Sequence, residues 1–339
     1  MSNNTDTDTW LATTVETPVD PNQEICDPHH HLWDHPESRY LLHELRADTG
    51  AGHNVTSTVF VECMSGYRTD GPEALRPVGE TDFVAAIASE SDRTADSGAV
   101  IAGIVGYADL TLGDEVDAVL EAHEEAGQGR FRGIRHAATW DPSPDVHNGH
   151  TRPPEGLLTD ETFGRGLATL ARRGHSFDAW VYHPQLGDVT AMARQHPDLP
   201  IVLDHLGGPI GVGPYAGRRD EVLDEWRPAM HELASCPNVT VKLGGIGMAL
   251  YGMGWHRNET APTSEQLEGA WGDAVRWCIE AFGPERCMFE SNFPVDKRSC
   301  SYTVLWNTFQ RIAAEASADE RQLLFHDTAR RFYRVSTDR

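Results

Sequence analysis

The residues best suited to chemistry stand near the amino terminus, in the stretch EICDPHHHLWDH of residues 24–35. Successive side chains of a β-strand point to opposite faces, so residues two apart share a face. His29 and His31 would therefore point the same way, with Asp27 on that face one layer deeper, while His30 would point oppositely. Two imidazoles on one face can hold a divalent ion or a reacting oxygen. The pattern predicts a metal-binding or catalytic pair at the end of the first strand.

Further polar side chains stand where later apolar runs end. Each lies within or just after a short run, such as PIVLDH or RCMFESN, that has the length of a buried strand. They are Glu62, Arg135, His136, Tyr182, His183, Gln185, Asp204, His205, Lys242, Glu290, Ser291, Asn292 and Asp296. If the runs form one parallel barrel, their carboxyl ends meet and these side chains gather at one site.

Eight short apolar runs alternate with segments of helical periodicity. The runs cover residues 24–30, 57–62, 99–108, 131–137, 176–182, 200–205, 238–245 and 286–292. Alternating strands and helices indicate βα units and a parallel sheet, and eight such units predict a (β/α)₈ TIM barrel. A doubly wound sheet is the alternative, but no glycine-rich phosphate turn follows the first run.

The remaining segments predict a single domain with long loops. The barrel domain is expected over residues 21–335, preceded by a flexible arm over residues 1–20 because that segment is polar and acidic. The long loops fall at the carboxyl ends of the strands, over residues 32–54, 64–80, 138–158, 206–220 and 244–265. The last of them is rich in glycine and methionine, which suits either a lid over the pocket or an adaptable surface loop.

Composition restricts the partners and the environment. The formal charge is −24, from 52 acidic and 28 basic residues, which disfavours nucleic acid and anionic membranes as partners. No apolar run is long enough for a membrane span, and no secretory signal begins the sequence. The six cysteines show no CxxC spacing, so we expect reduced thiols in a cytoplasmic protein.

Three motifs together resemble the amidohydrolase-2 family of the amidohydrolase superfamily. They are DPHHHLWD (27–34), DHLGGP (204–209) and ESNFPVD (290–296). Within this family, the chain resembles the group of 2-pyrone-4,6-dicarboxylate lactonase, L-fuconolactonase and 4-sulfomuconolactone hydrolase, and the resemblance extends over about residues 24–335. It implies a barrel hydrolase that acts on a lactone. It matches His29 and His31 to the first-strand pair of the family, His183 to the fifth-strand histidine and His205 to the sixth-strand histidine.

One position departs from the family pattern. The resemblance implies an aspartate that activates water in an SDWP motif at the eighth strand, whereas this chain has Asn292 in SNFP. An amide cannot act as a general base near neutral pH. Glu290, on the same strand face, and Asp296, on the following loop, are equally good replacements, and Glu62 is a third candidate.

The resemblance also implies a divalent metal, zinc, held by His29, His31 and His183. Such a metal would lower the pKa of bound water to about 7 and polarise an ester carbonyl. Without a metal, the histidines would donate hydrogen bonds to the carbonyl and the developing oxyanion, and a carboxylate would activate the water. Because Asn292 replaces the usual aspartate, both alternatives stay open.

The substrate contacts are predicted from polar residues near the histidines. Arg135 could clamp a substrate carboxylate with two hydrogen bonds, or form a salt bridge with one of the many acids. Lys242, one of only two lysines, needs either the pocket or a buried partner. Tyr182, Gln185 and Asn292 could hydrogen-bond the substrate.

These features predict a lactonase for a sugar-acid lactone or a lactone of aromatic catabolism. The predicted catalytic residues are His29, His31, His183, His205, Glu290 and Asp296. Non-oxidative decarboxylation of an aromatic acid is an alternative, but relatives with that activity often have a glutamate where His29 stands. A barrel that binds a small acid without turnover is another, and Asn292 favours it. The expected partners are a small anionic or lactone substrate and, by the resemblance, a second copy of the chain in a homodimer.

Overall fold

The structure, a computed structural model, describes residues 4–94 and 98–335. Its strands are β1 (Glu24–His30), β2 (Trp33–His35), β3 (Ser38–Tyr40), β4 (Asn54–Val61), β5 (Val100–Gly106), β6 (Phe131–Arg135), β7 (Ser176–Ala179), β8 (Ile201–Leu203), β9 (Val239–Leu243) and β10 (Cys287–Phe289). Eight of them form one sheet in the order β1-β4-β5-β6-β7-β8-β9-β10, and every neighbouring pair is parallel. The predicted TIM barrel is confirmed. The strands β2 and β3 form a separate antiparallel hairpin.

The first and last barrel strands meet just beyond the end of β10. His30 forms a parallel bridge with Phe293, and the backbone N–H of His31 donates to the carbonyl of Phe293 at 2.8 Å. The N–H of Asn292 donates to the carbonyl of His29 at 2.9 Å. These bonds nearly close the barrel and place the HxH pair beside the segment in which the asparagine replaces the usual aspartate.

Helices follow the strands along the chain. They are α1 (Asn4–Leu11), α2 (Leu42–Thr49), α3 (Val78–Arg93), α4 (Asp117–Ala126), α5 (Glu161–Arg172), α6 (Leu186–Gln195), α7 (Arg219–Ala234), α8 (Ser264–Phe282), α9 (Tyr302–Ile312), α10 (Ala318–Gln322) and α11 (Thr328–Phe332). A capping box begins α8, in which Thr263 accepts from the N–H of Gln266 and the Gln266 side chain accepts from the N–H of Thr263. None of the helices in the described part of the chain is long and apolar enough to cross a membrane.

The amino-terminal segment, expected as a flexible arm, contains α1 and is hydrogen-bonded to the barrel. The indole N–H of Trp10 donates to the carbonyl of Asn258 at 2.9 Å. The carboxylate of Glu16 accepts from the N–H of Ser264 at 2.8 Å and from the amide of Asn307 at 2.8 Å. Composition alone missed these contacts because they depend on polar groups far away in sequence.

The interior of the barrel is filled by side chains, as in other barrels of this type. An apolar layer that includes Cys26, Val59 and Met288 packs against Tyr333 and Val335 of the carboxyl-terminal segment. A second group of interior residues, at the carboxyl ends of the strands, is charged and polar, and it forms the candidate site.

Candidate active site

The HxH pair lies at the end of β1, as predicted. The ring centroids of His29 and His31 are 5.0 Å apart and the rings meet edge to face. His30 turns away from them, and its Nε2 lies 3.0 Å from the hydroxyl of Thr58. All three histidines are buried. The two alternate residues therefore share the site and the middle one packs outside it.

The prediction that Asp27 shares this face was wrong. Its carboxylate accepts from the N–H of Ser291 at 3.0 Å and from the hydroxyl of Tyr302, on α9, at 2.9 Å. The pairing of β1 with β4 shifts register between Asp27 and His30. Simple alternation does not hold across such an irregularity, so Asp27 fixes the strand to its neighbours instead of entering the site.

Glu290 connects two of the predicted histidines. Its Oε1 accepts from the Nδ1 of His205 at 2.6 Å and from the N–H of His205 at 3.1 Å. Its Oε2 lies 2.7 Å from the Nδ1 of His29. A carboxylate accepts hydrogen bonds, so the proton of neutral His205 sits on Nδ1 and its Nε2 keeps a lone pair. Burial lowers the pKa of His205 to about 3, so the ring is neutral near neutral pH.

A buried network of ions surrounds His29. The ammonium of Lys242 lies 2.8 Å from Oδ2 of Asp178 and 3.0 Å from Oδ1 of Asp204, and all three side chains are fully buried. Lys242 Nζ is also 3.1 Å from the Nδ1 of His29. A buried charge needs such partners. Burial and the Lys242 charge hold the pKa of His29 well below its usual value, so His29 is neutral. Lys242 is thus surrounded by protein groups, and its predicted contact with substrate is not what the geometry offers.

The guanidinium of Arg135 is also engaged within the protein. Its Nε donates to Oε1 of Glu62 at 2.7 Å, and its NH2 donates to the Glu62 carbonyl. Its NH1 lies 3.3 Å from the Nε2 of His29. The Arg135 charge holds the pKa of Glu62 down, at about 2, against the opposing effect of burial. No bidentate face of Arg135 is left for a substrate carboxylate, and the ionised Glu62 is committed to the ion pair.

His31 connects the site to Asn292, the position at which this chain differs from the family pattern. The Nδ1 of His31 lies 2.8 Å from the carbonyl of Val61, and its Nε2 faces the Oδ1 of Asn292 at 3.2 Å. The Asn292 amide donates to Oδ1 of Asp296 at 2.9 Å. Oδ2 of Asp296 accepts from the N–H of Gly247 at 2.8 Å. Burial raises the pKa of Asp296 well above its usual value.

The backbone is strained where these residues leave the strands. His205 and Asn292 have φ values of +54° and Leu206 has +57°, in the left-handed region that few residues other than glycine adopt. Glycine is required at 247, because a Cβ atom there would lie 2.9 Å from atoms of Asp296. Such strain is commonly found where side chains must be aimed at a site.

The predicted residues at the end of the fifth barrel strand have divided roles. The side-chain oxygen of Gln185 accepts from the backbone N–H groups of Trp140 and Tyr182, and its amide N–H donates to the carbonyl of Ala138. The Tyr182 hydroxyl donates to the carbonyl of His147. Both side chains hold the 138–158 loop in place, so neither is free to bind substrate.

His183 differs from its neighbours. Its Nδ1 accepts from the N–H of Ile210 at 3.3 Å, so the proton of the neutral ring sits on Nε2. That buried Nε2 has no hydrogen-bond partner among the described residues. His183 therefore presents an unpaired N–H donor.

A group that could hold a metal ion consists of His29, Asp204 and His205. Each offers one ligand atom, and these atoms lie within 4.8 Å of one another. The two carboxylate oxygens of Asp204 are buried without hydrogen bonds in the described residues, although Oδ1 is close to Lys242. Two imidazole nitrogens and a carboxylate oxygen are typical zinc ligands. Of the metal ligands expected from the sequence, only His29 belongs to this group, because the ring nitrogens of His31 and His183 are not among the atoms that lie within 4.8 Å of one another.

Two residues of this site were not predicted from the sequence. Asp178 is the acidic member of β7 (SFDA) that pairs with Lys242, and an isolated acid within an apolar strand could have indicated it. His150 comes from the 138–158 loop, and its Nε2 lies 3.0 Å from Oε2 of Glu62. No sequence signal indicates His150, since its position depends on the path of the loop.

Comparisons with known proteins show which family the chain matches and which solved structures share its fold. The model of the amidohydrolase family matches residues 26–335. An L-fucono-1,5-lactonase of Burkholderia multivorans is 30% identical over 326 residues, which cover 91% of this chain and 95% of that protein. An uncharacterized protein of Sinorhizobium fredii is 33% identical over 333 residues, with 92% and 98% coverage. A crystal structure of an amidohydrolase from Burkholderia multivorans with bound zinc superposes with a TM-score of 0.72 at 26% identity, covering 92% of this chain and 99% of that one.

Proposed function

Because this chain belongs to the amidohydrolase family, we propose that it is a hydrolase that opens a lactone ring by the attack of water. The observation that carries the proposal is the group of buried, neutral histidines His29 and His205, with Glu290 fixing the tautomer of His205. The similarity to an L-fucono-1,5-lactonase over nearly the whole chain supports a lactone as the substrate. A sugar-acid lactone or a lactone of aromatic catabolism is the proposed class.

In the proposed reaction, the oxygen of a water molecule bonds to the carbonyl carbon of the ring ester. The bond between that carbon and the ring oxygen then breaks, and the proton removed from the water goes to the ring oxygen. The product is an open-chain hydroxy acid. The unpaired Nε2–H of His183 is the donor that we propose for the carbonyl oxygen, which becomes negative during the attack.

Asp296 is the carboxylate that we propose takes the proton from water. Its two oxygens each accept one backbone or amide N–H, which leaves lone pairs for a water. Oε1 of Glu290 accepts two hydrogen bonds from His205, and Oε2 contacts the Nδ1 of His29. We therefore propose that Glu290 orients these two histidines. Burial raises the pKa of Asp296 well above its usual value, so its ionised carboxylate is a stronger base than an exposed one.

A divalent metal, proposed as zinc, would be held by His29, Asp204 and His205. When bound, it would lower the pKa of a water ligand and polarise the ester carbonyl. Oδ2 of Asp204, which is buried without a hydrogen bond among the described residues, supports this fit. The ammonium of Lys242, 3.0 Å from Asp204 Oδ1, opposes a second positive charge nearby, so we expect weaker binding than in a site without this lysine.

The first experiment is a pH-indicator assay of the purified protein against sugar, muconate and pyrone lactones, with and without a chelator. Acid release from any of them supports the lactonase proposal, and its absence across the panel contradicts it. Zinc content, measured by mass spectrometry before and after chelation, tests the metal site independently of turnover. A protein without zinc that also fails to bind added zinc would contradict the metal proposal.

The partners and location follow from the same features. We propose a small anionic or lactone substrate. We also propose a cytoplasmic location, because all six cysteines are unpaired and five of them are buried. The homodimer stays a prediction from the family resemblance.

A further inference from the structure

A cavity of about 530 Å³ is lined in part by residues that follow β1 and β10, the two strands that lead to the histidine pair and to Asn292. Its walls come from α1, the β2–β3 hairpin and the segment that follows β10, and they include Trp33, Glu37, Tyr40, Pro294, Lys297 and Arg298. This volume is within the range of small-molecule pockets, which are usually lined by apolar and aromatic groups with a few polar ones.

One residue of the cavity wall, Trp33, packs on a histidine of the candidate site. The ring of Trp33 is nearly parallel to that of His31, with an interplanar angle of 19° and 6.2 Å between centroids. Pro294 lies two residues beyond Asn292, which contacts His31. A ligand in the cavity would therefore contact the tryptophan that packs on His31.

Most charges in the cavity wall are already paired. Lys297 lies 3.2 Å from Asp48 and 3.5 Å from Asp8, and Arg39 lies 3.8 Å from Glu44. Two side chains differ from these.

Arg298 and Glu37 line the cavity, are exposed and form no hydrogen bond or ion pair among the described residues. The protein as a whole is strongly acidic, yet the guanidinium of Arg298 has no acidic partner among the described residues, so it is available to an anionic ligand. A guanidinium binds a carboxylate through two parallel hydrogen bonds, and a carboxylate such as Glu37 accepts hydrogen bonds from hydroxyls.

We propose that this cavity binds the distal end of the substrate, and that the substrate is a polyhydroxylated lactone that carries a carboxylate. Arg298 binds the carboxylate and Glu37 accepts from a hydroxyl, while Trp33 and Tyr40 cover the carbon skeleton. The proposal rests on the proposed lactone hydrolysis and specifies its substrate class.

The test compares two substrates that differ in one group. Galactarolactone has a carboxylate where galactonolactone has a hydroxymethyl group. For the Arg298→Gln variant we expect KM for galactarolactone to rise about tenfold or more, the effect of losing one charge-assisted contact. Its kcat, and both constants for galactonolactone, should stay within about twofold. Arg257→Gln is the matched control, because Arg257 is an exposed neighbour that does not line this cavity.

Binding of the open diacid galactarate, measured by calorimetry, separates this proposal from the catalytic one. If the parent protein binds galactarate and Arg298→Gln binds it at least about tenfold more weakly, the subsite is supported even if no lactone is hydrolysed. Equal binding by both proteins, or none by the parent, overturns the subsite. Turnover of lactones with no effect of Arg298→Gln on either substrate leaves the lactonase proposal in place and rejects the subsite.

Discussion

Asp296 and Asn292 form a carboxylate–amide pair whose orientation is fixed on both sides. Gly247 donates to one oxygen of Asp296, the Asn292 amide donates to the other, and the amide oxygen faces His31. The carboxylate that we propose as the base thus lies four residues after the position at which the family resemblance places it, and the Asn292 amide connects it to His31.

Replacing Asp296 by asparagine tests this arrangement. We expect Asp296→Asn to lower kcat by a factor of about 10²–10⁴, the usual contribution of a general base, with KM nearly unchanged. The measurement is the pH-indicator assay at saturating lactone. The exchange variant Asn292→Asp with Asp296→Asn keeps one amide and one carboxylate in reversed order, and it should recover part of the loss.

The control for Asp296→Asn is Glu80→Gln, which also converts a buried carboxyl to an amide. Burial, with the neighbouring Glu62 charge, raises the pKa of Glu80 to about 8, so this side chain is mostly protonated at pH 7 and a neutral amide resembles it. We expect kcat within about twofold of the parent. An equal loss in Glu80→Gln and Asp296→Asn would show that kcat responds to any buried amide and would contradict the assignment.

At the scale of single residues, strand alternation predicted the shared face of His29 and His31 correctly. It was wrong for Asp27, because a register shift separates that residue from the pair. Arg135 and Glu62, which form an ion pair, are 73 residues apart in the sequence. The contact with Glu62 determines how the guanidinium is oriented. The sequence placed these residues at strand ends, but it could not show which of them already satisfy each other.

At the scale of elements, the apolar runs predicted all eight barrel strands, because buried parallel strands are continuously apolar. The boundaries were less accurate, since β8 covers only Ile201–Leu203 where residues 200–205 were expected. The residues just beyond the short strands are the ones that carry the site, including Asp204 and His205. The amino-terminal helix was missed because its own sequence is polar and its contacts lie elsewhere in the chain.

Deleting residues 1–20 tests the role of that helix. Asp8 of α1 contributes to the wall of the cavity and lies 3.5 Å from Lys297. We expect the deletion to raise KM several-fold with little change in kcat, because the substrate loses a wall while the histidines remain. Steady-state kinetics measures both constants, and thermal unfolding checks that the barrel is intact. A large fall in kcat at unchanged KM would instead connect α1 to the residues that we propose to be catalytic.

At the scale of the whole molecule, titratable groups buried with opposite pKa shifts make the stability depend on pH in two directions. Burial lowers the pKa of His123 to about 4. Its contribution to stability is present above the unfolded value of about 6.5 and is lost as the pH falls towards 4. The pKa of Glu80, raised to about 8, acts oppositely, since its contribution is present below the unfolded value near 4.5 and is lost as the pH rises through 8.

Two variants separate these opposing effects. We expect Glu80→Gln to gain stability relative to the parent as the pH rises from 4.5 to 8, by at most about 1.4 kcal/mol per pH unit. His123→Gln should gain relative to the parent as the pH falls from 6.5 to 4, because the parent alone must keep a buried imidazole neutral. The measurement is the free energy of unfolding in urea at several pH values. If a variant and the parent had parallel pH profiles, the replaced side chain would have the same pKa in the folded and unfolded states. Burial of that side chain would then make no contribution to the pH dependence of the free energy of unfolding.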